Sequence, residues 1–380
     1  MLSIIHSALD PLSINLLYYI AIFALAFLLS VAGIPSIIHI ALRYRLFDEA
    51  ESHRKSHRAQ ISRLGGVAIF CSFTIAILLF ATTVNYQKAN FLITSCIILF
   101  GLGLKDDLYG VNPETKFLLQ MVVAIILVVL GDFRLSSLYG VFFVWEVNML
   151  WGSLFSILLI IFVNNAFNLI DGIDGLAGTI GMIATLCFGI FFAIGNELPY
   201  AFIAFAMTGA IGGFLVYNYS PAKIFMGDTG ALLIGLVSII LAIKFIELNK
   251  IGSIPKPNFY SAPAIAVAVL LIPVFDSLRV FFIRILHRKS PFTGDRNHIH
   301  HRLQQLGFST RQILMALGFF NVGMIFFAVS LQHLGNFVLI TLLLSICIIF
   351  NSIITYSLGK KNNHAYRLSD ILFKDTFKGR

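Results

Sequence analysis

The stretch "SLFSILLIIFVNNAFNLIDGIDGLAGTIGMIATLCFGIFFAI", residues 153–194, contains two apolar runs with a polar segment between them. A membrane-spanning helix needs roughly 20 apolar residues, so each run predicts one span. The polar segment holds Asp171 and Asp174, and side chains three residues apart on a helix face the same side. Gly172 and Gly175 leave room for a ligand or another backbone to approach closely. The stretch therefore predicts two membrane helices that meet at a pair of converging carboxylates.

The composition extends this prediction to the whole chain. Of the 380 residues, 58% are hydrophobic and only 12% are charged, and the mean hydropathy is +0.89. Soluble domains carry about 25% charged residues, so these values indicate an integral membrane protein and exclude a soluble one. The four cysteines all lie in apolar stretches, which predicts buried thiols without a disulfide framework.

Hydropathy predicts an all-α protein with about eleven transmembrane helices. The chain is expected to form one polytopic catalytic domain over residues 1–358, followed by a basic cytoplasmic tail over residues 359–380. The predicted spans lie near residues 13–41, 65–83, 91–105, 116–131, 150–164, 175–195, 199–217, 230–248, 262–285, 312–332 and 336–358.

The basic residues predict the orientation in the membrane. With eleven spans, the loops after the odd-numbered helices share one face, and that face holds 22 of the 27 Lys and Arg residues. The positive-inside rule puts this face in the cytoplasm, with the N-terminus outside and the C-terminus inside. The net charge of +9 then reports membrane topology, and we expect no nucleic-acid partner.

One segment on the opposite face leaves two interpretations open. Residues 133–147, "FRLSSLYGVFFVWEV", are rich in aromatic and β-branched residues around a Tyr-Gly pair. They are typical of a short β-hairpin lying on the outer surface, and equally typical of an aromatic belt at the membrane interface.

Carboxylates gather where the predicted helices end at the cytoplasmic face. A charge at the centre of a membrane helix costs at least about 2.5–3.5 kcal/mol, so acidic residues beside spans are functional candidates. Single aspartates at such places commonly cap helix N-termini, but five on one face favour a shared site. Asn165 and Asn168 add neutral donors and acceptors. The five are Asp106, Asp107, Asp171, Asp174 and Asp228.

Clustered carboxylates repel one another unless a cation neutralises them. Oxygen ligands of this kind suit Mg²⁺, which binds through one or two carboxylates plus substrate phosphates, and Mn²⁺ is the alternative cofactor. The pattern favours metal-assisted phosphoryl transfer, in which electrostatic positioning supplies most of the catalysis.

The segment "RKSPFTGDRNHIHHRLQQLG", residues 288–307, supplies basic groups on the same face. No Cys or carboxylate completes a zinc site at known spacing, so a zinc centre is disfavoured. A solvated loop that anchors the topology is one interpretation of the segment, and an anion clamp for a diphosphate is the other. The clamp would use Arg296, His298, His300, His301 and Arg302. Arg63 and its neighbours in the first loop support a weaker version of the same argument.

Four segments together resemble the polyprenyl-phosphate N-acetylhexosamine-1-phosphate transferases, a glycosyltransferase 4 type family. They are "GLKDDLYGVNPETKFLLQ", "NAFNLIDGIDGLAG", "KIFMGDTGALLIG" and "RNHIHHRL", and they occur in order between about residues 45 and 305. Members pass a sugar phosphate from a UDP-sugar to a lipid phosphate carrier, and eleven spans are usual in the family. The first loop departs from the pattern, because relatives carry prolines near Gln60 and Ser62.

The resemblance implies a role for each matched residue. Asp106 and Asp107 would act on the lipid phosphate or help hold the metal, with Lys116 following at the family's spacing. Asp171 and Asp174 would lie near the nucleotide and metal, beside Asn168. Asp228, together with Asp171, would be a Mg²⁺ ligand. The "HIHH" histidines would bind the phosphates of the nucleotide sugar.

The "HIHH" form also resembles the branch that begins surface glycans such as O-antigen. The expected reaction transfers N-acetylglucosamine (GlcNAc) 1-phosphate from UDP-GlcNAc to undecaprenyl phosphate and releases UMP, in the bacterial cytoplasmic membrane. Two alternatives are the phospho-N-acetylmuramoyl-pentapeptide transferase of peptidoglycan synthesis and, from another class, an ion-coupled transporter. The bilayer is the expected environment, and a homodimer is left open.

Overall fold

A computed structural model describes residues 11–46, 61–81, 89–250, 259–286 and 297–361 of the chain. Thirteen α-helices make up nearly all of this part, and it contains no β-strand. The prediction of an all-α protein is therefore confirmed for the described residues.

The helices follow the predicted apolar runs closely, except for the short helix Ile299–Leu306. They are α1 Pro11–Tyr44, α2 Gly65–Leu79, α3 Ala89–Tyr109, α4 Pro113–Ile125, α5 Met149–Ile170, α6 Leu176–Ile194, α7 Leu198–Asn218, α8 Gly227–Leu248, α9 Ala262–Val269, α10 Leu271–Leu286, α11 Ile299–Leu306, α12 Thr310–Ser330 and α13 Asn336–Lys361. A π-helical turn, Ile126–Leu130, continues α4.

The predicted count of about eleven spans is confirmed in part. Within the described residues, eight helices are long and apolar enough to cross a membrane, and the pair α9 and α10 makes a ninth if it counts as one span. That pair is bent by 78° at Leu270. Helix α2 has only 15 residues, about 22 Å at 1.5 Å per residue, against a hydrocarbon core of about 30 Å. Helix α3 ends in the charged residues Lys105, Asp106 and Asp107.

Helix α8 lies at the centre of the bundle. It is apolar on all sides, and nearly all of its residues are buried, which is typical of a helix surrounded by others. Helices α2, α3, α5 and α6 pack around it, while α7 packs against α1 and α6. The position of α8 is therefore fixed from several directions.

Glycines allow two helices to approach the first turn of α8 closely. A Cβ atom added to Gly66 of α2 would lie 2.2 Å from the backbone nitrogen of Gly230. One added to Gly103 of α3 would lie 2.5 Å from the Cα of Thr229. No side chain fits at either position, so these glycines set the distance between the helices.

The segment 133–147 forms a compact loop. A single antiparallel bridge joins Ser137 to Glu146, and a 3₁₀ turn, Val141–Phe143, lies between them. The loop is anchored to the end of α8, because the Glu247 carboxylate accepts hydrogen bonds from the Ser136 backbone at 2.9 Å and from the Tyr139 hydroxyl at 2.9 Å. The hairpin interpretation is thus right about the reversal of the chain and wrong about the strands.

Two glycines of α3 give a matched test of this packing. We expect Gly103→Ala to lower the thermal unfolding temperature markedly, because the new methyl group meets the backbone of Thr229. Gly101→Ala, two residues away, meets nothing within 4 Å and should raise it slightly, since Ala favours a helix over Gly by up to about 1 kcal/mol. Equal effects of the two substitutions in detergent would contradict the close approach of α3 and α8.

Candidate active site

The segment that leads into α8 is held by backbone hydrogen bonds to the start of α2. Gly65 donates to the Phe225 carbonyl and Gly66 to the Met226 carbonyl, both at 2.9 Å, and Phe225 donates to the Ser62 carbonyl at 2.8 Å. Gly227 follows with φ of 70°, a left-handed conformation that glycine adopts without strain. The first turn of α8, which carries Asp228, is therefore rigidly placed.

The carboxylate of Asp107 binds the N-terminus of α8. Its Oδ1 accepts the backbone N–H of Asp228 at 2.8 Å, and its Oδ2 accepts the backbone N–H of Thr229 at 3.0 Å and the Thr229 hydroxyl. A carboxylate at this position satisfies free N–H groups and complements the positive end of the helix dipole. Asp107 thus acts as a helix cap supplied by the neighbouring helix α3.

The pKa of the Asp107 carboxyl is raised to about 6. Burial is the main cause, and the charge of Asp106 adds to it. The hydrogen bonds from Thr229 and the charge of Arg63 act in the opposite direction. The ionised form of Asp107 is therefore less stable than that of an exposed aspartate, although it accepts hydrogen bonds from the first turn of α8.

Lys116 at the start of α4 bridges two of the predicted acidic residues. Its Nζ lies 3.0 Å from Oδ2 of Asp106 and also forms an ion pair with Oδ2 of Asp228. The other oxygen of Asp106 accepts the backbone N–H of Val111 at 2.7 Å. This ammonium group therefore joins α3, α4 and α8, and it neutralises two carboxylates that were predicted to meet substrate or metal.

Asp171 and Asp174 lie in the turn between α5 and α6. The prediction that they share one face of a helix is wrong, because α5 ends at Ile170 and Gly175, with φ of 80°, precedes the first residue of α6. Oδ2 of Asp174 accepts the backbone N–H of Ala222 at 3.1 Å. Asp174 therefore ties the turn to the loop before α8.

Among the five acidic residues, Asp171 has the carboxylate that makes the fewest hydrogen bonds with the described part of the protein. None of the described residues donates a hydrogen bond to its carboxylate. Its pKa is raised well above the usual range by burial, and the charges of Asp107 and Asp174 raise it further, whereas Arg63 lowers it. The structure thus brings the acidic residues of α3 and of the α5–α6 turn within electrostatic range of each other.

Of the two predicted asparagines, Asn165 has a hydrogen-bond partner for its side-chain amide, whereas the side-chain donor of Asn168 has none among the described residues. The amide of Asn165 pairs with that of Gln120, since its Nδ2 donates to Oε1 of Gln120 at 2.7 Å. The Nδ2 of Asn168 is buried and has no hydrogen-bond partner among the described residues. A buried donor without a partner is rare, and here it lies one turn before Asp171.

The histidine segment contacts the acidic turn. Residue His300 is 1% exposed, and a Cβ atom added to Gly172 would lie 2.3 Å from its Nε2. Neither of its ring nitrogens has a hydrogen-bond partner among the described residues. Burial lowers the pKa of His300 to about 3, so the imidazole is neutral near pH 7. Helix α11 therefore brings a neutral ring, with both nitrogens open, beside Asp171.

The other predicted basic residues differ in position. The rings of His298 and His300 are stacked, with centroids 5.8 Å apart, while His301 lies 3.3 Å from Oε1 of Gln304. Arg302 is buried against α13, where its guanidinium donates to Asn351 and Thr355. Its assignment as a substrate ligand stays a prediction, and Arg296 lies outside the described residues.

The sequence pointed weakly or not at all to two residues of the site, Thr229 and Arg63. Thr229 binds Asp107 through its backbone and hydroxyl, and Arg63 lies close enough to Asp107 and Asp171 to lower the pKa of both. Thr229 directly follows the predicted ligand Asp228, which was a usable signal. Arg63 precedes the glycine pair at the start of α2, and nothing local distinguishes it from a topology-anchoring arginine.

The donor set can be compared with what a magnesium ion needs. No group of three or more His, Cys, Asp or Glu among the described residues is arranged around a common point. Mg²⁺ usually binds through one or two carboxylates and takes its other ligands from water and phosphate. The open carboxylate of Asp171, whose pKa is raised by burial and by neighbouring charges, fits that requirement. Asp228 fits it once Lys116 releases its Oδ2.

The bundle and its polar end define a multi-pass membrane protein with an acidic, histidine-flanked site. The sequence profile of glycosyl transferase family 4 matches residues 89–246, which include all five acidic residues. A "Decaprenyl-phosphate N-acetylglucosaminephosphotransferase" of Mycolicibacterium smegmatis is 30% identical over 302 residues, which is 73% of each chain. The chain belongs to this family of polyprenyl-phosphate sugar-1-phosphate transferases.

Two further relatives give the same result. A "Probable undecaprenyl-phosphate N-acetylglucosaminyl 1-phosphate transferase" of Bacillus subtilis is 29% identical over 293 residues, covering 77% of this chain and 78% of its own. An "Undecaprenyl-phosphate alpha-N-acetylglucosaminyl 1-phosphate transferase" of Salmonella typhi is 28% identical over 285 residues, covering 73% and 74%.

The raised pKa of Asp107 predicts a stability that depends on pH. Between its ordinary pKa near 4 and its folded value of about 6, the folded state binds more protons than the unfolded state. Stability should therefore fall as pH rises through this window. We expect the thermal unfolding temperature of Asp107→Asn to change less than that of the wild type between pH 4.5 and 7. Asp132→Asn, an exposed control in the loop between α4 and α5, should keep the wild-type slope.

Proposed function

We propose that this protein transfers N-acetylhexosamine 1-phosphate, with GlcNAc 1-phosphate as the preferred group, from a UDP-sugar to undecaprenyl phosphate. UMP is released, and the product begins a surface glycan. One observation carries the proposal: Asp107, Asp171 and His300 converge from three separate parts of the chain at one end of the bundle. The names of the three relatives support the choice of GlcNAc and of a polyprenyl phosphate.

The reaction is a direct displacement at phosphorus. An oxygen of the lipid phosphate attacks the β-phosphorus of the UDP-sugar, the bond from that phosphorus to the bridging oxygen breaks, and UMP leaves. The second pKa of a phosphate monoester is about 6, so the attacking oxygen is already largely ionised at pH 7. The protein therefore needs to position two anions more than it needs to remove a proton.

Different residues of this chain contact and position the two anions. The unpaired amide of Asn168 and the open ring of His300 provide neutral contacts beside Asp171, where phosphate oxygens can bind without further charge repulsion. Lys116 and Arg63 supply the positive charge. When Mg²⁺ or Mn²⁺ is bound, it neutralises the diphosphate, and Asp171 and Asp228 would hold it.

An alternative to direct attack is a two-step route, in which an aspartate attacks first and forms a covalent phospho-sugar intermediate. A covalent route needs an aspartate with a free oxygen to attack phosphorus. Both oxygens of Asp107 are engaged by the first turn of α8, and one oxygen of Asp106 is engaged by Lys116 and the other by Val111. This occupancy argues against Asp106 and Asp107 as the nucleophile of a covalent route, which leaves Asp171 as its candidate, and we favour direct attack because the lipid phosphate is already ionised. Isolation of a labelled aspartyl adduct would contradict it.

The membrane orientation in this proposal follows from charge. In the topology predicted from the sequence, the loops that carry the site share one face with 22 of the 27 Lys and Arg residues, so the proposal puts the site at the cytoplasmic face of the bacterial membrane. UDP-sugars are made in the cytoplasm, and the lipid phosphate would reach the site from the inner leaflet.

An assay of UMP release tests the function. Purified protein receives Mg²⁺, undecaprenyl phosphate and one of several UDP-sugars, including UDP-GlcNAc and UDP-N-acetylmuramoyl-pentapeptide. We expect UDP-GlcNAc to be used best. Asp171→Asn should reduce kcat at least about 100-fold, because charge stabilisation at the reacting phosphates is lost. Asp132→Asn on the outer loop should retain wild-type turnover, and equal loss in both variants would contradict the site.

The contact of His300 with Gly172 gives a second test. Gly172→Ala puts a methyl group where the His300 ring lies, so the ring must move. A displacement of about 1 Å at a reaction centre costs on the order of 100-fold in rate, and we expect a loss of that order in UMP release. Gly323→Ala on α12, whose new methyl group meets nothing within 4 Å, is the control. Full activity of Gly172→Ala would mean that His300 does not serve the reaction.

A further inference from the structure

Asp276 is a buried carboxylate that has no part in the mechanism above. It lies on α10, six residues after the bend at Leu270, and it is 1% exposed. Its Oδ2 lies 2.8 Å from Nδ1 of His298, and its Oδ1 accepts the backbone N–H of Ile299 at 3.0 Å. Arg279 donates to the same Oδ1 at 3.2 Å. A charge buried this deeply persists because three donors surround it.

These contacts fix the histidine segment where it enters α11. Ile299 is the first residue of α11, so its N–H has no partner within the helix, and Asp276 satisfies it from a neighbouring helix. The Arg279 guanidinium also donates to the Asn297 carbonyl, which ties the residue before His298 to α10. The segment 297–299 is thus held to α10 by both backbone and side chain.

The contact also fixes the state of the His298 ring. A carboxylate paired with Arg279 is ionised and can only accept hydrogen bonds, so Nδ1 of His298 must carry the hydrogen. Nε2 is left to meet a ligand, and the negative charge behind the ring compensates a positive charge on it. A carboxylate plays the same part behind the histidine of a catalytic triad.

The position of the His298 ring affects the acidic turn, because His298 contacts His300 and His300 contacts the turn. The His298 ring stacks on the His300 ring with an angle of 9° between their planes, and His300 lies against Gly172, next to Asp171. A shift of His298 would therefore be passed to the ring that borders the acidic site.

We propose that Asp276 is a positioning residue that orients His298 and His300 toward the diphosphate of the UDP-sugar donor. The inference rests on the proposed function, because it presumes that the histidines meet that donor. In this role, Asp276 affects the binding of the UDP-sugar donor and does not itself contact the reacting atoms.

A double-mutant cycle tests this role. UMP release is measured with UDP-GlcNAc and undecaprenyl phosphate for wild type, Asp276→Asn, His298→Ala and the double variant. Loss of a carboxylate behind a metal-binding histidine typically costs about 10–100-fold, and by analogy we expect the KM for UDP-GlcNAc to rise by about that factor in Asp276→Asn. The KM for undecaprenyl phosphate should stay unchanged. In the His298→Ala background, Asp276→Asn should have little further effect, because Asp276 acts through that ring.

A purely structural role gives a different result. It would lower the fraction of folded enzyme, and therefore apparent kcat, without changing either KM, and its effect would multiply with that of His298→Ala. Glu247→Gln is the matched control, since Glu247 also accepts three hydrogen bonds but anchors the outer loop. It should change thermal stability and leave both KM values unchanged.

Two outcomes would overturn the inference without touching the proposed function. One is an active wild type in which Asp276→Asn leaves the donor KM unchanged, and the other is multiplicative losses in the cycle. If Asp276→Asn does not fold, Arg279→Lys replaces it in the cycle, because it loosens the same carboxylate and keeps the charge. A wild type inactive with every UDP-sugar would instead contradict the proposed function.

Discussion

The bond between the Asp107 carboxylate and the N-terminus of α8 is the contact on which the rest of the site depends. It joins a carboxylate at the charged end of α3 to the first turn of the most buried helix in the bundle. Because α8 is enclosed by four helices, its first turn cannot shift without disturbing them all. Asp228 and Thr229 therefore keep fixed positions, and the ion pair of Asp228 with Lys116 brings α4 into the same arrangement.

The same arrangement concentrates negative charge. Burial raises the pKa of Asp107 and of Asp171, the charges of Asp107 and Asp174 raise that of Asp171 further, and Arg63 relieves only part of the repulsion. Mutual repulsion of this kind lowers the stability of the ligand-free protein, and it makes the site receptive to any cation that arrives with a phosphate. The protein thus gives up some stability to keep an anionic site ready, which is common where activity requires strained groups.

Hydropathy predicted where all the helices of the described region except α11 lie, because lipid-facing and buried apolar runs are long and continuous. It failed where the structure depends on contacts between distant parts of the chain or on a local break. The bend at Leu270 had a signal, since Pro273 cannot donate a hydrogen bond to the Val269 carbonyl. The turn at Asp171 was misjudged because helical spacing was assumed through a segment with two glycines. The contact of His300 with Gly172 links residues 128 positions apart, and one sequence carries no trace of it.

The acidic pair at residues 106 and 107 shows why adjacent carboxylates need not share a task. On a helix, neighbours point about 100° apart, so Asp106 faces Lys116 and Val111 while Asp107 faces α8. Each is committed to a separate structural contact, whereas Asp171 has no such commitment. A cation that binds Oδ2 of Asp228 must compete with Lys116, and a Lys116 ammonium displaced from Asp228 would remain beside Asp106. The lysine would then face the incoming phosphate, so one ion-pair exchange would both open Asp228 and supply positive charge to the acceptor.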